Sequence, residues 1–263
     1  MADNLLDHFN VCQKYTHFHI LVISRANAGK TTLLQRVCNT TEDPRIYNEG
    51  KNLWYAELAV DQRGIHDINC PFAFESNLQF IFHDSRGFES GDESQLKEVQ
   101  AFIEERARST EPKLQLHAIW LAVPSVLNFY LFCFVPNRSR PLLELEERFF
   151  NEQRAGNVIT IFTKLDDLII QVFKRGSSRE QNRQSALNVL KDKFEEPLCG
   201  YKYPPKAYLH LEKMQEDEGK HQDQVKELIK KTADSLDNLA LQMLFVSVQS
   251  SNLELCIEYA IKQ

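Results

Sequence analysis

Residues 17–31 read HFHILVISRANAGKT, and the fold follows from how this stretch divides. The run HFHILVIS, residues 17–24, is short, apolar and rich in β-branched residues, so it predicts a strand buried on both faces. KTTLLQRVC follows and predicts a helix, with Leu33, Leu34 and Val37 on one face. The loop between them, SRANAGKT (residues 24–31), joins strand to helix with a glycine just before the first helical turn. A strand feeding a helix through such a loop is the opening unit of a parallel sheet.

The loop also carries chemistry. Its pattern is G-x-x-x-x-G-K-[ST], with Ser24 in place of the first glycine. Consecutive backbone N–H groups from Arg25, Ala26, Asn27, Ala28 and Gly29, with those of Lys30, Thr31 and Thr32 at the helix start, form a concave site for anions. Gly29 lets the backbone approach phosphates closely. Lys30 brings its ammonium to the β/γ oxygens and is the candidate catalytic residue. The Thr31 hydroxyl is a candidate ligand for Mg²⁺. Ser24 adds a Cβ that narrows the turn.

Further along, LWYAELAVD (residues 53–61) and LQFIFHD (residues 78–84) read as strands. The second ends in Asp84-Ser85-Arg86-Gly87, a D-x-x-G. There Asp84 would hold Mg²⁺ through water, and Gly87 would offer an N–H to a γ-phosphate. Asp92 to Gln95 has capping-box form and starts a helix to about Ala107, with Leu96, Val99, Phe102 and Ile103 inward. LHAIWLAV is another strand. Pro141 sits near the first turn of a helix through LLELEERFFNE. VITIF is a strand followed by Thr163-Lys164-Leu165-Asp166. A helix over 179–194, a short strand over 206–211, a helix over 222–239, a strand within 241–249 and a closing helix SNLELCIEYAIK complete the reading. Strands alternating with helices predict an α/β protein. Its central sheet is mostly parallel, with helices on both faces, and ligands bind beyond the carboxyl ends of the strands.

Four motifs in this order, each just after a strand, resemble those of the TRAFAC class of P-loop GTPases. The resemblance is nearest to the TrmE–Era–EngA group and to uncharacterised fungal G-domain proteins, and it runs from about His17 to Lys262. It implies a three-layer G domain over residues 17–263, after an N-terminal extension of residues 1–16, with inserts near 123–137 and 175–240. It implies GTP and GDP as ligands with Mg²⁺, and slow hydrolysis in a molecular switch. In that family's [NT]-K-x-D element the carboxylate, here Asp166, accepts from guanine N1–H and the exocyclic amine, while Lys164 lies along the base and Thr163 opens the turn. Ser247 and Val248, at the end of the last expected strand, stand where the family reads guanine O6 through backbone N–H groups.

The departures matter as well. Between Thr41 and Thr110 there is no Thr to serve as the family's switch residue. Phe88 stands where Ras-like proteins have the glutamine that orients water. Asn27 matches the loop Asn that, in relatives of TrmE, helps bind K⁺ at a face-to-face G-domain dimer; it reads equally as a loop-stabilising side chain. Arg25 and Arg86 lie near the phosphates, more in keeping with surface or salt-bridged roles. The excess around 123–137 reads as a lineage insertion, a partner-facing hairpin or intron-derived sequence. The competing functions are a scaffold that holds GTP without hydrolysing it and, disfavoured by TKLD, an ATPase or kinase. A GTP-dependent homodimer and an effector protein are the expected partners.

Composition limits the rest. With 43% hydrophobic and 26% charged residues the chain can bury the core of one large α/β domain. A formal net charge of -6 argues against general binding to nucleic acid or to anionic membranes. Six cysteines without C-x-x-C or zinc spacing read as free thiols. No signal peptide or prenylation box is evident, so a cytoplasmic location is expected. Residues 118–135 carry no charge, but Pro124 and Asn128 interrupt them and the first part fits a strand better than a membrane span.

Overall fold

The opening strand forms as its sequence demands. In the computed structural model, β1 (Phe18–Ser24) is buried at all seven positions, and a strand covered on both faces reads as continuous apolar sequence. The structure describes residues 17–25, 28–47, 67–85, 88, 93–111, 114–124, 142–152, 157–216, 221–236, 242 and 245. After β1 come α1 (Lys30–Val37), β2 (Arg45–Ile46), β3 (Phe72–Phe74) and β4 (Asn77–Asp84). Then follow α2 (Glu93–Arg108), β5 (Ala118–Pro124), α3 (Glu144–Glu152), β6 (Val158–Thr163) and α4 (Leu165–Gln171). α5 (Arg179–Leu190) runs through a π-helical turn (Lys191–Glu195) into α6 (Glu196–Cys199), and β7 (Ala207–His210) and α7 (His221–Ser235) close the described order.

These strands form one seven-stranded sheet in the order β2-β3-β4-β1-β5-β6-β7. β4, β1, β5, β6 and β7 are parallel to one another, and β2 and β3 add an antiparallel edge. The chain is thus α/β with a mostly parallel sheet. β1 sits between β4 and β5, so the order runs outward in both directions from its carboxyl end. Such a switch point is where open α/β sheets leave a crevice for ligands.

Apolar side chains pack on both faces and give three layers. On one face Leu33, Leu34 and Val37 of α1 and Leu228, Ile229 and Ala233 of α7 cover Ile20, Val22, Phe82 and Trp120. On the other, Leu96, Val99, Phe102 and Ile103 of α2, Phe149 and Phe150 of α3, and Leu165 and Leu168 of α4 cover Leu21, Ile23, Leu121 and Phe162. The inward positions expected of α1 and α2 are the buried ones.

One expectation needs correcting. The strand placed within 241–249 does not match its two described residues: Gln242 and Phe245 are helical. The Phe245 ring lies 4.5 Å from Phe18 and 5.6 Å from Phe80, so it covers the sheet face rather than extending the sheet. Leu241, Leu244, Phe245 and Val248 also fit a helical spacing, which a short apolar run cannot distinguish from a strand. Within the stretch 175–240, the short strand expected over 206–211 is β7, and α7 covers one face of the sheet. Residues 53–61 and 251–262 lie outside the described residues. So do the extension 1–16 and most of the 123–137 insert, of which only the end of β5 is described. Among the described residues no helix is long and apolar enough to cross a membrane. Cys38, Cys70 and Cys199 are free thiols; burial pushes the Cys38 thiol up to about 12.

A histidine cluster lies in the core. The His83 Nδ1–H donates to the Ile68 carbonyl at 3.1 Å, so its Nε2 accepts from His19 Nδ1–H at 3.0 Å. The main-chain N–H of His19 donates to His117 Nδ1 at 2.9 Å. The accepting nitrogens make the His83 and His117 rings neutral in this arrangement. Burial, then the neighbouring histidines and Arg106, lowers His19 to about 2. Burial, with Arg106 next, lowers His83 to about 4; burial likewise lowers His117 to about 4.

Candidate functional site

Three strand ends meet at the switch point. Ser24 ends β1, Asp84 ends β4 and Thr163 ends β6; Ser24 is in register with Ala122, Val22 with Asp84, and Pro124 with Thr163. The parallel register is what gathers motifs about 60 and 140 residues apart in sequence at one edge of the sheet.

At β1, the chain turns with Ala28 N–H donating to Arg25 O at 3.3 Å. Gly29 adopts the left-handed conformation (φ 80°, ψ 26°) at the start of α1. A Cβ built there would meet nothing within 4 Å, so glycine is required by the backbone and not by space. Leu33 N–H donates to Gly29 O at 3.0 Å, which leaves the N–H groups of residues 29–32 without partners inside the helix. No side chain caps them and no acidic residue occupies the first turn. A helix end with that character favours an anion.

Lys30 points along this end of the sheet to β4. Its Nζ lies 2.5 Å from Asp84 Oδ1 and 3.4 Å from the Ser85 carbonyl, and both side chains are about 15% exposed. Arg25 turns away from Lys30 and forms a bidentate pair with Glu146 of α3, at 2.8 and 2.5 Å. Glu146 is 1% exposed and also accepts the Leu143 N–H at 2.9 Å. The salt-bridged reading of Arg25 is the one the structure supports. Phe88 is buried, with its ring 5.9 Å from that of Phe149; it is a core residue. The hydroxyls of Ser24 and Ser85 are buried without hydrogen-bond partners among the described residues.

At β6, Lys164 takes the left-handed conformation (φ 57°, ψ 41°) and precedes α4. A lysine there carries roughly 1–2 kcal/mol of backbone strain. Leu165 N–H donates to Leu211 O, and Leu211 N–H to Phe162 O, so the ladder of β6 and β7 continues into the TKLD turn. The loop after β7, residues 211–216, then folds over this turn. The Lys213 N–H donates to Asp166 Oδ1 at 2.9 Å, and Lys213 is itself left-handed at φ 56°.

These segments enclose one pocket of about 320 Å³, lined by Ala28, Gly29, Thr32, Leu33, Thr163, Lys164, Asp166, Asp167, Leu211, Lys213, Met214 and Gln215. The structure thus brings together residues from the start of α1 and from the TKLD turn. Sequence reading missed the third wall, residues 211–216. Lys30, at the start of α1, pairs with Asp84 at the end of β4; neither of them, nor Arg25 nor Thr31, lines this pocket. Ala26, Asn27, Arg86, Gly87, Ser247 and Val248 lie outside the described residues. Among the described residues no group of three or more His, Cys, Asp or Glu converges on a metal position. Magnesium asks for less, since it keeps several waters and takes one or two carboxylates with phosphate oxygens; Asp84 is a carboxylate at the end of β4, and Thr31 is exposed on the first turn of α1.

No protein-family model matches the chain, and no curated protein matches it.

Proposed function

We propose that this chain is a GTP-binding protein with the G-domain version of the P-loop fold, and a slow, magnesium-dependent GTPase. The observation that carries the reading is the shared pocket. A helix end with unclaimed N–H groups and a carboxylate after a TKLD turn face one cavity. A polyphosphate suits the first and a guanine base the second. The donor set fits in kind: one ammonium (Lys30), one carboxylate at the neighbouring strand end (Asp84) and one hydroxyl on the first turn (Thr31). Magnesium, when bound, would neutralise charge on the phosphates. Lys30 would exchange its bond to Asp84 for phosphate oxygens, leaving Asp84 to hold the metal through water.

Asp166 would choose the base. A carboxylate has about four acceptor positions, and the Lys213 N–H takes one at Oδ1. The remainder can accept the adjacent N1–H and amino donors of guanine. Adenine lacks that donor pair, which would leave the carboxylate unpaired. Hydrolysis would need only positioned water and charge compensation. We expect hydrolysis to be raised by K⁺ and by a GTP-dependent homodimer, on the ground of Phe88 together with Asn27.

A second reading has one observation in its favour. Phe88 faces the core and has no group with which to orient water, which suits a GTP-holding scaffold. One set of samples separates the readings: fluorescent GTP is titrated into wild type and Lys30→Ala with Mg²⁺, and phosphate release is followed in KCl and in NaCl. Tight wild-type binding that Lys30→Ala abolishes supports the proposal. Binding with no phosphate release above buffer in either salt supports the scaffold. Equal, weak binding by both proteins overturns nucleotide binding through Lys30.

A further inference from the structure

The pocket wall missing from the sequence reading is the loop 211–216, and one side chain from α1 holds its backbone. Arg36, in the last turn of α1, donates from Nε to the Met214 carbonyl at 3.1 Å and from Nη2 to the Glu216 carbonyl at 3.3 Å. Met214 and Lys213 line the pocket, and the Lys213 N–H reaches Asp166. A connected path therefore runs from α1, which begins at the phosphate end, through Arg36 to the loop 211–216 and on to the base-facing carboxylate. Two carbonyls two residues apart suit the fixed fork of a guanidinium; an ammonium is a single point charge and lacks that fork. The loop itself holds the strained left-handed Lys213, closed by Lys213 Nζ to Glu216 Oε1 at 2.6 Å. A strained loop persists where its surroundings over-determine it, and Arg36 supplies two of those constraints.

We infer that Arg36 is a positioning residue for ligand retention: it straps the 211–216 loop over the base end of the pocket, and so sets how long a guanine nucleotide stays bound. This inference rests on the guanine-nucleotide reading given above. The strap acts on the base end only. Loss of two charge-assisted hydrogen bonds should raise the dissociation rate by about tenfold to a hundredfold. A ligand that occupies only the phosphate end should not notice.

The test uses the full chain. Fluorescent GDP is loaded, chased with unlabelled GDP, and its dissociation rate measured for wild type, Arg36→Ala and Arg36→Lys. The affinity of each protein for inorganic tripolyphosphate is measured beside it, as is the urea midpoint without nucleotide. The expected result is faster GDP release from Arg36→Ala by about tenfold or more, a smaller effect for Arg36→Lys, and tripolyphosphate affinity unchanged within twofold. If Arg36→Ala does not fold, Arg36→Lys and Arg36→Gln decide by the same comparison. Unchanged GDP release with good wild-type binding overturns the strap and leaves the guanine reading standing. A parallel loss of tripolyphosphate affinity assigns Arg36 to the stability of α1 and also overturns it. A wild type that retains tripolyphosphate but not GDP overturns the guanine reading, and the strap with it.

Discussion

Lowering the pH from 7.5 to 5 should cost this protein about 6 kcal/mol of folding stability, through three buried histidines. His19, His83 and His117 have folded pKa values of about 2, 4 and 4, against about 6.5 for an unfolded chain. Each group is thus held neutral in the fold while the unfolded chain takes up a proton below pH 6.5. The unfolded state binds more protons in that window, so stability is full above pH 6.5 and falls as the pH drops through it. At pH 5, one and a half units below the unfolded value, each histidine contributes a loss of about 2 kcal/mol. The geometry gives the same sign. A second proton on His83 would set an N–H against the donor N–H of His19, 3.0 Å away. A second proton on His117 would remove the acceptor for the His19 main-chain N–H. Urea unfolding followed by circular dichroism at pH 7.5, 6.5, 5.5 and 5.0 measures the effect. His117→Phe keeps a ring against Phe18, now 4.7 Å away and stacked, and should reduce the pH slope by about a third. A stability that changes by under about 1 kcal/mol across this range would refute the reasoning, because three depressed histidines cannot be silent there.

Other outcomes follow from single contacts. Arg25→Ala strands the 1%-exposed Glu146 carboxylate and should cost about 3 kcal/mol; Glu146→Ala leaves an arginine at 20% exposure that can reach water, and should cost clearly less in thermal melts. Equal losses would show that the two groups are not in the asymmetric burial described. Phe88→Gln places an amide against Phe149 and should destabilise by on the order of 3 kcal/mol, lowering the melting point by about 10 °C, without raising GTP turnover. A variant as stable as wild type, or one with turnover raised tenfold, would return Phe88 to the reaction.

Much of this architecture could be read before any coordinates, and the reasons are physical. β1 and β6 are fully buried, so every residue but His19 is apolar or small and the pattern has no competitor. α2 declared its inner face through Leu96, Val99, Phe102 and Ile103. The edge was harder. β2 and β3 have two and three residues, too few to show a period. β7, AYLH, is four residues long with one fully buried position, so it was expected as a short strand but not as the sheet's outer parallel member. The candidate site divides the same way. Gly29, Lys30, Asp84 and Asp166 were legible because their side chains, or the lack of one, carry the chemistry. The loop 211–216 was not, because it acts through the Lys213 N–H and the carbonyls of Met214 and Glu216, groups that every residue type offers. The one signal available was Arg36, an arginine on α1 whose partner the sequence does not name.

The proposed function requires Asp166 to select a purine at the far end of a loop that binds phosphate. Its most direct test is a competition titration, in which GTP and ATP displace fluorescent GTP from wild type and from Asp166→Asn at fixed Mg²⁺. The account predicts that wild type prefers GTP by on the order of 10⁴-fold, as a site with a base-pairing carboxylate should, and that Asp166→Asn loses most of this preference while its fold survives. Equal displacement by ATP and GTP from wild type, or an undiminished preference in Asp166→Asn, would contradict it.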